Sequence, residues 1–131
     1  MPPVIIQLIH KVKGADRIAL VTDSMASADA PGGEVFDPNT IIEDGVCKLA
    51  DRSALAGSIA TMDRLVGTMV NKCRFSWTDA FRMSALTPAR IMGVADRKGS
   101  LSVGKDADIV VYDTDARLKT VIQAGRVVHK N

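Results

Sequence analysis

Asp23 is the residue of this sequence whose position most strongly suggests chemistry. It follows a continuous apolar run at residues 18–21, and polar residues begin abruptly at Thr22. Such runs are typical of parallel strands that are covered on both faces, and parallel α/β barrels assemble their chemistry at the carboxyl ends of these strands. The pattern therefore predicts Asp23 at the catalytic edge of a sheet. The alternative is an aspartate that only caps a loop or a helix, which is a common role for this residue type.

Other titratable residues offer weaker candidates. Asp106 and Asp108 are spaced like paired carboxylates, but the Gly-Lys pair before them favours a turn. His10 falls on the polar side of an amphipathic segment, which predicts a solvated surface histidine. His129 lies far from His10 in the sequence, so the two histidines predict no zinc-type ligand set.

Composition limits the class of protein and its partners. With 131 residues and 47% hydrophobic content, the chain can bury a core of respectable size. The net charge of +2, with both signs interspersed, gives little support to a nucleic-acid surface. No apolar stretch approaches the roughly 20 residues needed to cross a bilayer, and Cys47 and Cys73 lack the spacing of a disulfide framework or a zinc site. Buried free thiols in a soluble, cytoplasmic protein without membrane partners are the expectation.

Four helices are predicted from apolar spacing and capping residues. The first starts at Pro2-Pro3 and is closed by Gly14, and the second is a long amphipathic helix that begins at Ser58 and extends to residue 73. Ser76, with Asp79 three residues later, predicts the capped start of the third helix. In the fourth, Thr87 is the predicted N-cap and Pro88 the first helical residue.

Short strands are predicted between turn signals in two regions. The predicted strands are residues 35–36, 40–42, 46–49, 108–112, 118–123 and 126–128. Asp44-Gly45 marks a turn after the second of them, and Ala124-Gly125 predicts a hairpin between the last two.

Three segments of the sequence carry a family resemblance. They are residues 17–25 (RIALVTDSM), residues 55–63 (LAGS followed by TMD) and residues 88–93 (PARIMG). In order and spacing they resemble the N-acetylglucosamine-6-phosphate deacetylases. Residues 98–111 resemble the C-terminal signature of metal-dependent amidohydrolases in general, which indicates the superfamily but not the substrate. Dihydroorotases and hydantoinases also carry an aspartate at the end of the last barrel strand, so an amidohydrolase of cyclic amides stays an alternative.

The resemblance implies an α/β fold that corresponds to the C-terminal part of an amidohydrolase. The last strand of a (β/α)₈ barrel and its flanking helices would occupy residues 1–25 and 52–95. Part of an accessory β-sandwich would occupy residues 26–51 and 96–131. A complete barrel needs about 250 residues, so only a part of it is expected here. Strand edges that lack neighbours in this chain predict self-association, and hence a homo-oligomer.

The resemblance also implies roles for particular residues. The parent reaction hydrolyses N-acetylglucosamine 6-phosphate to glucosamine 6-phosphate and acetate, with Asp23 as general base toward water and then general acid toward the departing amine. The stretch Leu55, Ala56, Gly57 and Ser58 would place its backbone against the bound sugar. The family's divalent metal, zinc or similar, is held by residues outside these segments, so no metal ligand is assigned. The chain alone is therefore expected to be inactive, and the rival interpretation is a non-catalytic, self-associating module.

Overall fold

The computed structural model describes residues 1–28, 35 and 37–131, which fold as a mixture of helices and strands. The helical elements are α1 (Pro3–Lys13), a 3₁₀ turn (Ala15–Arg17), α2 (Met62–Gly67), a π-helical turn (Thr68–Lys72), α3 (Trp77–Phe81), a second π-helical turn (Arg82–Leu86) and α4 (Thr87–Ile91). The strands are β1 (Thr40–Glu43), β2 (Val46–Leu49), β3 (Ile109–Tyr112), β4 (Leu118–Gln123) and β5 (Arg126–Lys130). This mixture agrees with the predicted α/β class. Within the described ranges, no helix is both long and apolar enough to cross a bilayer.

The chain divides into two compact units. Unit 1 consists of Met1–Leu20 and Val66–Asn131, and unit 2 consists of Val21–Leu65. This division follows contacts within the chain, whereas the predicted barrel and sandwich ranges follow the parent fold. The assignment of residues to those two parts therefore stays a prediction.

Unit 1 has a helical core. Its buried residues are Ala15, Val66, Met69, Cys73, Ala80 and Met83. Val66, Met69 and Cys73 recur at helical spacing, so one side of α2 and of the π-helical turn after it faces this core. Trp77 and Phe81, one turn apart on α3, have ring centroids 5.8 and 5.7 Å from that of Tyr112 on β3. Aromatic contacts thus join the helical core to the sheet of the same unit.

We expect Met83→Ala to lower the free energy of unfolding by about 2–5 kcal/mol, because truncating a fully buried side chain leaves a cavity. Met83 is 0% exposed, whereas Met92 is 74% exposed. The matched Met92→Ala variant should therefore shift stability by less than about 0.5 kcal/mol. Urea denaturation followed by Trp77 fluorescence measures both, and equal effects of the two variants would contradict this core.

Helix α1 confirms the predicted segment but not the predicted orientation of its faces. Its apolar residues Val4, Leu8 and Val12 are exposed. Gln7 instead donates a hydrogen bond from its side chain to the carbonyl oxygen of Cys73, at 2.9 Å. The prediction of a solvated His10 is wrong, because this side of the helix packs against the rest of unit 1. The imidazole ring centroid lies 4.4 Å from that of Phe75, and Nε2 lies 3.5 Å from a carboxylate oxygen of Asp79.

The third and fourth predicted helices join into one helical run from Trp77 to Ile91. Ser76 caps its start as predicted, since its hydroxyl oxygen accepts a hydrogen bond from the Asp79 amide at 3.1 Å. The N-cap prediction for Thr87 is wrong, because Thr87 has helical backbone angles and its buried hydroxyl donates to the carbonyl oxygen of Ala15 at 3.0 Å. The π-helical turn before α4 lets the helix continue into Pro88, which cannot donate a regular helical hydrogen bond.

The strands of unit 1 form an antiparallel sheet in the order β3-β4-β5. The Ala124-Gly125 hairpin turn is confirmed, with both residues at positive φ. Asp106 and Asp108 both form ion pairs with Lys98, and Asp108 also accepts a hydrogen bond from the Ala124 amide. The hydrogen bond from Lys98 is the main cause that lowers the pKa of each carboxyl. These contacts support the predicted structural role of both aspartates.

Unit 2 contains the β1–β2 hairpin, with the Asp44-Gly45 turn where the sequence predicts it. Beside the hairpin, Arg52 and Lys48 form ion pairs with Glu43 and lower the pKa of that carboxyl to about 2, with Arg52 the larger cause. The strand predicted at residues 35–36 lies partly outside the described residues, so this strand stays a prediction.

No strand forms at residues 18–21 in the described part of the chain, contrary to the sequence prediction. Ile18 is extended, at φ −124° and ψ 125°, and the Leu20 amide donates a hydrogen bond to the carbonyl oxygen of Met83 at 2.9 Å. A β-strand requires a neighbouring strand as partner. Here a helix accepts the hydrogen bond instead.

We expect the purified chain to sediment as dimers or larger species at micromolar concentration. β3 and β5 are the edges of the unit 1 sheet, and valines such as Val127 and Val128 on β5 are exposed. Unpaired apolar edges favour pairing with another copy, so Val128→Lys should shift the distribution toward monomer. A compact monomer in sedimentation velocity would contradict the prediction.

Candidate functional site

Asp23 lies in unit 2, in a loop, with its residue surface exposed. Its backbone adopts the left-handed conformation, with φ at 51°. Aspartate adopts this conformation more readily than most residues other than glycine. The next residue, Ser24, forms a parallel bridge with Ser58, so backbone pairing begins immediately after Asp23.

The structure brings Asp23 together with the stretch that was predicted to bind the sugar. The Ser58 amide donates a hydrogen bond to the carbonyl oxygen of Asp23 at 2.8 Å. The Met25 amide donates in turn to the carbonyl oxygen of Ser58 at 2.8 Å. Because both bonds join backbone atoms, they fix the spacing of the two segments independently of their side chains.

The other end of the stretch lies against β2. Leu55 forms an antiparallel bridge with Lys48, and the Ala56 amide donates to the carbonyl oxygen of Cys47 at 3.0 Å. Leu55 remains 70% exposed. Residues 55–58 thus run from the hairpin to the Asp23 loop with both ends anchored.

The structure corrects the sequence prediction for Ser58. It does not begin a helix, because α2 starts only at Met62. The Ser58 amide is engaged by Asp23, and the Ala60 amide donates to the Ser58 hydroxyl oxygen at 2.8 Å. The amides of Ala56, Ser58 and Ala60 are therefore used within the chain and are not the helix-start donors that the sequence suggested for a substrate.

Gly57 occupies a position that a side chain would not fit. Its φ is 84°, and a Cβ there would lie 2.9 Å from Cγ of Met25 and 3.1 Å from the carbonyl oxygen of Asp23. Gly45, in the hairpin turn, has a φ of 73° but no atom within 4 Å of its ideal Cβ. The two glycines therefore share backbone conformation and differ in crowding.

We expect Gly57→Ala to destabilise the chain by about 1–3 kcal/mol more than Gly45→Ala, since only the first adds overpacking to the backbone strain that both share. The additional destabilisation by Gly57→Ala should be accompanied by a displacement of the Asp23 loop, because the Asp23 carbonyl oxygen is one of the atoms that the new Cβ would crowd. Urea denaturation followed by circular dichroism measures the difference. Equal destabilisation would show that the contact between Gly57 and the Asp23 loop is not tight.

The described residues, Asp23 included, do not group into a metal site. Among residues 1–28, 35 and 37–131, no group of three or more His, Cys, Asp or Glu side chains is arranged to hold a metal ion. The described residues thus do not fit a metal-ligand set of their own.

Two residues that hold the Asp23 loop, Ser24 and Met25, could not be recognised as such from the sequence. The Ser24 hydroxyl donates to the carbonyl oxygen of Ala60, and the Met25 side chain fills the space above Gly57. Ser24 and Met25 follow Asp23 directly, but pairing with Gly57 and Ala60 spans more than 30 residues of sequence. No local pattern signals such a contact.

Comparisons with known proteins identify the family. The amidohydrolase family model matches residues 5–128. The N-acetylglucosamine-6-phosphate deacetylase of Bacillus subtilis is 32% identical over 126 residues, which cover 95% of this chain and 32% of that protein. The N-acetylgalactosamine-6-phosphate deacetylase of Escherichia coli O157:H7 is 32% identical over 114 residues, covering 86% of this chain and 30% of that protein.

A solved structure agrees with these relatives. The crystal structure of N-acetylglucosamine-6-phosphate deacetylase from Thermotoga maritima matches 98% of this chain and 36% of its own, with a TM-score of 0.86 and 30% identity. The chain thus spans about a third of the length of the relatives that it matches. The family-model match over residues 5–128 and the similarity to these deacetylases in sequence and fold together place this chain in the amidohydrolase family.

Proposed function

We propose that this chain supplies the proton-transfer residue and one edge of the sugar site of an N-acetylglucosamine-6-phosphate deacetylase. The observation that carries the proposal is the pairing of Asp23 with residues 55–58, made by the Ser58 amide and the Asp23 carbonyl oxygen at 2.8 Å. The residue proposed for chemistry and the backbone proposed for binding are thereby held side by side.

Asp23 has the chemistry that amide hydrolysis requires. A carboxylate can accept a proton from the attacking water and then return a proton to the departing amine nitrogen. The Asp23 residue is exposed, so a substrate can approach it. Its backbone is held by Ser58, which leaves the carboxylate free to act while the loop stays in place.

Residues 55–58 are proposed to bind the sugar mainly through van der Waals contact, with less contribution from hydrogen bonds donated by backbone amides. The exposed Leu55 side chain offers an apolar surface, and Gly57 allows a ligand to approach the backbone closely. The amide groups of Ala56 and Ser58 and the Ser58 carbonyl oxygen are already paired, so the other carbonyl groups of this stretch and the Ser58 hydroxyl, as a donor, are the polar groups proposed for the ligand.

The finer features of the parent enzyme belong to the same proposal. Residues 1–25 and 52–95 would be part of a (β/α)₈ barrel, and the rest part of an accessory β-sandwich. The amidohydrolase family is generally metal-dependent, and we propose that a divalent metal, zinc or similar, is held by residues other than those described here. The cytoplasmic location suggested by the free cysteines also remains a proposal.

A second candidate substrate is N-acetylgalactosamine 6-phosphate. The Escherichia coli relative that carries this name is 32% identical, the same level as the Bacillus subtilis deacetylase. Overall sequence identity therefore does not indicate which of the two hexosamine phosphates is the substrate. Cyclic amides, the third class, have no counterpart among the relatives described above.

The test is an enzyme in which this chain replaces the matching third of the Bacillus subtilis deacetylase, called the grafted enzyme below. Its kcat/KM is measured for N-acetylglucosamine 6-phosphate, N-acetylgalactosamine 6-phosphate and dihydroorotate. We expect acetate release with the highest kcat/KM for the glucosamine derivative. A higher value for the galactosamine derivative would support the second candidate, and turnover of dihydroorotate alone would contradict both.

A further inference from the structure

Two serine hydroxyls meet at Ala60, and one of them, that of Ser24, belongs to the loop that carries Asp23. The Ser24 hydroxyl donates a hydrogen bond to the Ala60 carbonyl oxygen. The Ser58 hydroxyl oxygen accepts one from the Ala60 amide at 2.8 Å. The N–H and the carbonyl group of Ala60, which precedes the start of α2 at Met62, are therefore both bonded to serine side chains.

Asp23 needs such support because of its backbone. Aspartate adopts the left-handed conformation more readily than most residues, but it also has right-handed and extended alternatives, so a single conformation persists only where the surroundings hold it. The bond from the Ser58 amide holds the carbonyl side of Asp23. Ser24, the next residue, is fixed by its bond to Ala60 and by a bond from its amide to the Thr22 hydroxyl oxygen at 3.3 Å.

We propose that Ser24 is a positioning residue, which holds Asp23 in its left-handed conformation by linking the Asp23 loop to Ala60. The direction of the Asp23 carboxylate relative to residues 55–58 then depends on a hydroxyl that touches neither substrate nor reacting atoms. The importance of this geometry for catalysis rests on the proposed function, whereas the link itself is a property of the chain.

The proposal makes different predictions for three serine variants. Ser24→Ala removes the hydroxyl, whereas Ser24→Thr retains one. Ser53→Ala is the matched control, because the Ser53 hydroxyl donates to Asp51 at 2.6 Å in another loop of unit 2. Of the three variants, only Ser24→Ala should therefore allow the Asp23 backbone to leave its left-handed conformation.

The experiment is NMR on the full 131-residue chain, labelled with ¹³C and ¹⁵N. Two signals are measured: the intraresidue amide-to-Hα NOE of Asp23, which is strong in the left-handed conformation, and the hydrogen-exchange rate of the Ser58 amide. We expect Ser24→Ala to weaken the NOE and to speed Ser58 exchange by about fivefold or more, the factor that losing one ordinary hydrogen bond produces. Ser24→Thr and Ser53→Ala should keep both signals near those of the native chain.

Unchanged signals in Ser24→Ala would overturn the proposal, as would equal changes in Ser53→Ala. A Ser24→Thr variant that behaves like Ser24→Ala would also overturn it, because the hydroxyl would then not be the cause. These readouts require no substrate. A grafted enzyme that fails to release acetate would therefore contradict the proposed function without affecting this test.

Discussion

Asp23→Asn is expected to lower the turnover of the grafted enzyme by about 10²–10⁴-fold, the range that loss of a general acid–base group produces. Asparagine is nearly the same size as aspartate and also tolerates the left-handed conformation seen at φ 51°. The substitution should therefore remove proton transfer while the loop keeps its shape. Steady-state kinetics with N-acetylglucosamine 6-phosphate measures the effect.

Asp44 offers a matched control for this prediction. It is also an aspartate of unit 2 in the left-handed conformation, with φ at 54°. Asp44→Asn loses one exposed ion pair to Lys48, an interaction that solvent screening weakens, and should leave turnover within about twofold. Equal losses in both variants would show that the effect is structural, and native turnover in Asp23→Asn would remove Asp23 from the reaction.

The chain on its own is expected to release no acetate above the uncatalysed rate. Amide hydrolysis requires an activated water and a polarised carbonyl in addition to a proton acceptor, and free water, whose pKa lies far above neutral pH, is a poor nucleophile under neutral conditions. Asp23 supplies only the acceptor. The assay uses purified chain with N-acetylglucosamine 6-phosphate and added zinc, with metal analysis of the same sample.

The control for this prediction is complementation. The remaining two thirds of the Bacillus subtilis deacetylase, added as a separate polypeptide, should restore acetate release if the two parts associate. The same polypeptide with the Asp23→Asn chain should restore far less. Deacetylation by the chain alone would contradict the prediction directly.

Features specified by neighbouring residues could be predicted from the sequence. The Asp44-Gly45 and Ala124-Gly125 turns lie where predicted, because two residues at positive φ suffice to define each hairpin. The Ser76 cap of α3 is equally local, since it joins residues three positions apart. Asp23 could be singled out because its motif is continuous in the sequence.

Features that depend on contacts between distant segments could not be predicted. Hydrophobic spacing alone predicts the wrong inner face for α1, because the Gln7 bond to Cys73 and the His10 contact with Phe75 determine which side packs against the rest of unit 1. Ser58 was expected to begin a helix because an amphipathic pattern follows it. Its backbone pairing with Asp23, which is 35 positions earlier in the sequence, prevents this.

The measurement that tests the central claim most directly compares binding and chemistry in the Asp23→Asn grafted enzyme. Calorimetry gives its Kd for N-acetylglucosamine 6-phosphate, and rapid mixing gives its single-turnover rate. If Asp23 transfers protons beside an intact sugar-binding edge, Kd should stay within about threefold of the native value while the single-turnover rate falls by about 10²-fold or more. Loss of affinity in parallel with loss of rate would show that Asp23 only maintains the structure of the loop, and that result would contradict the account.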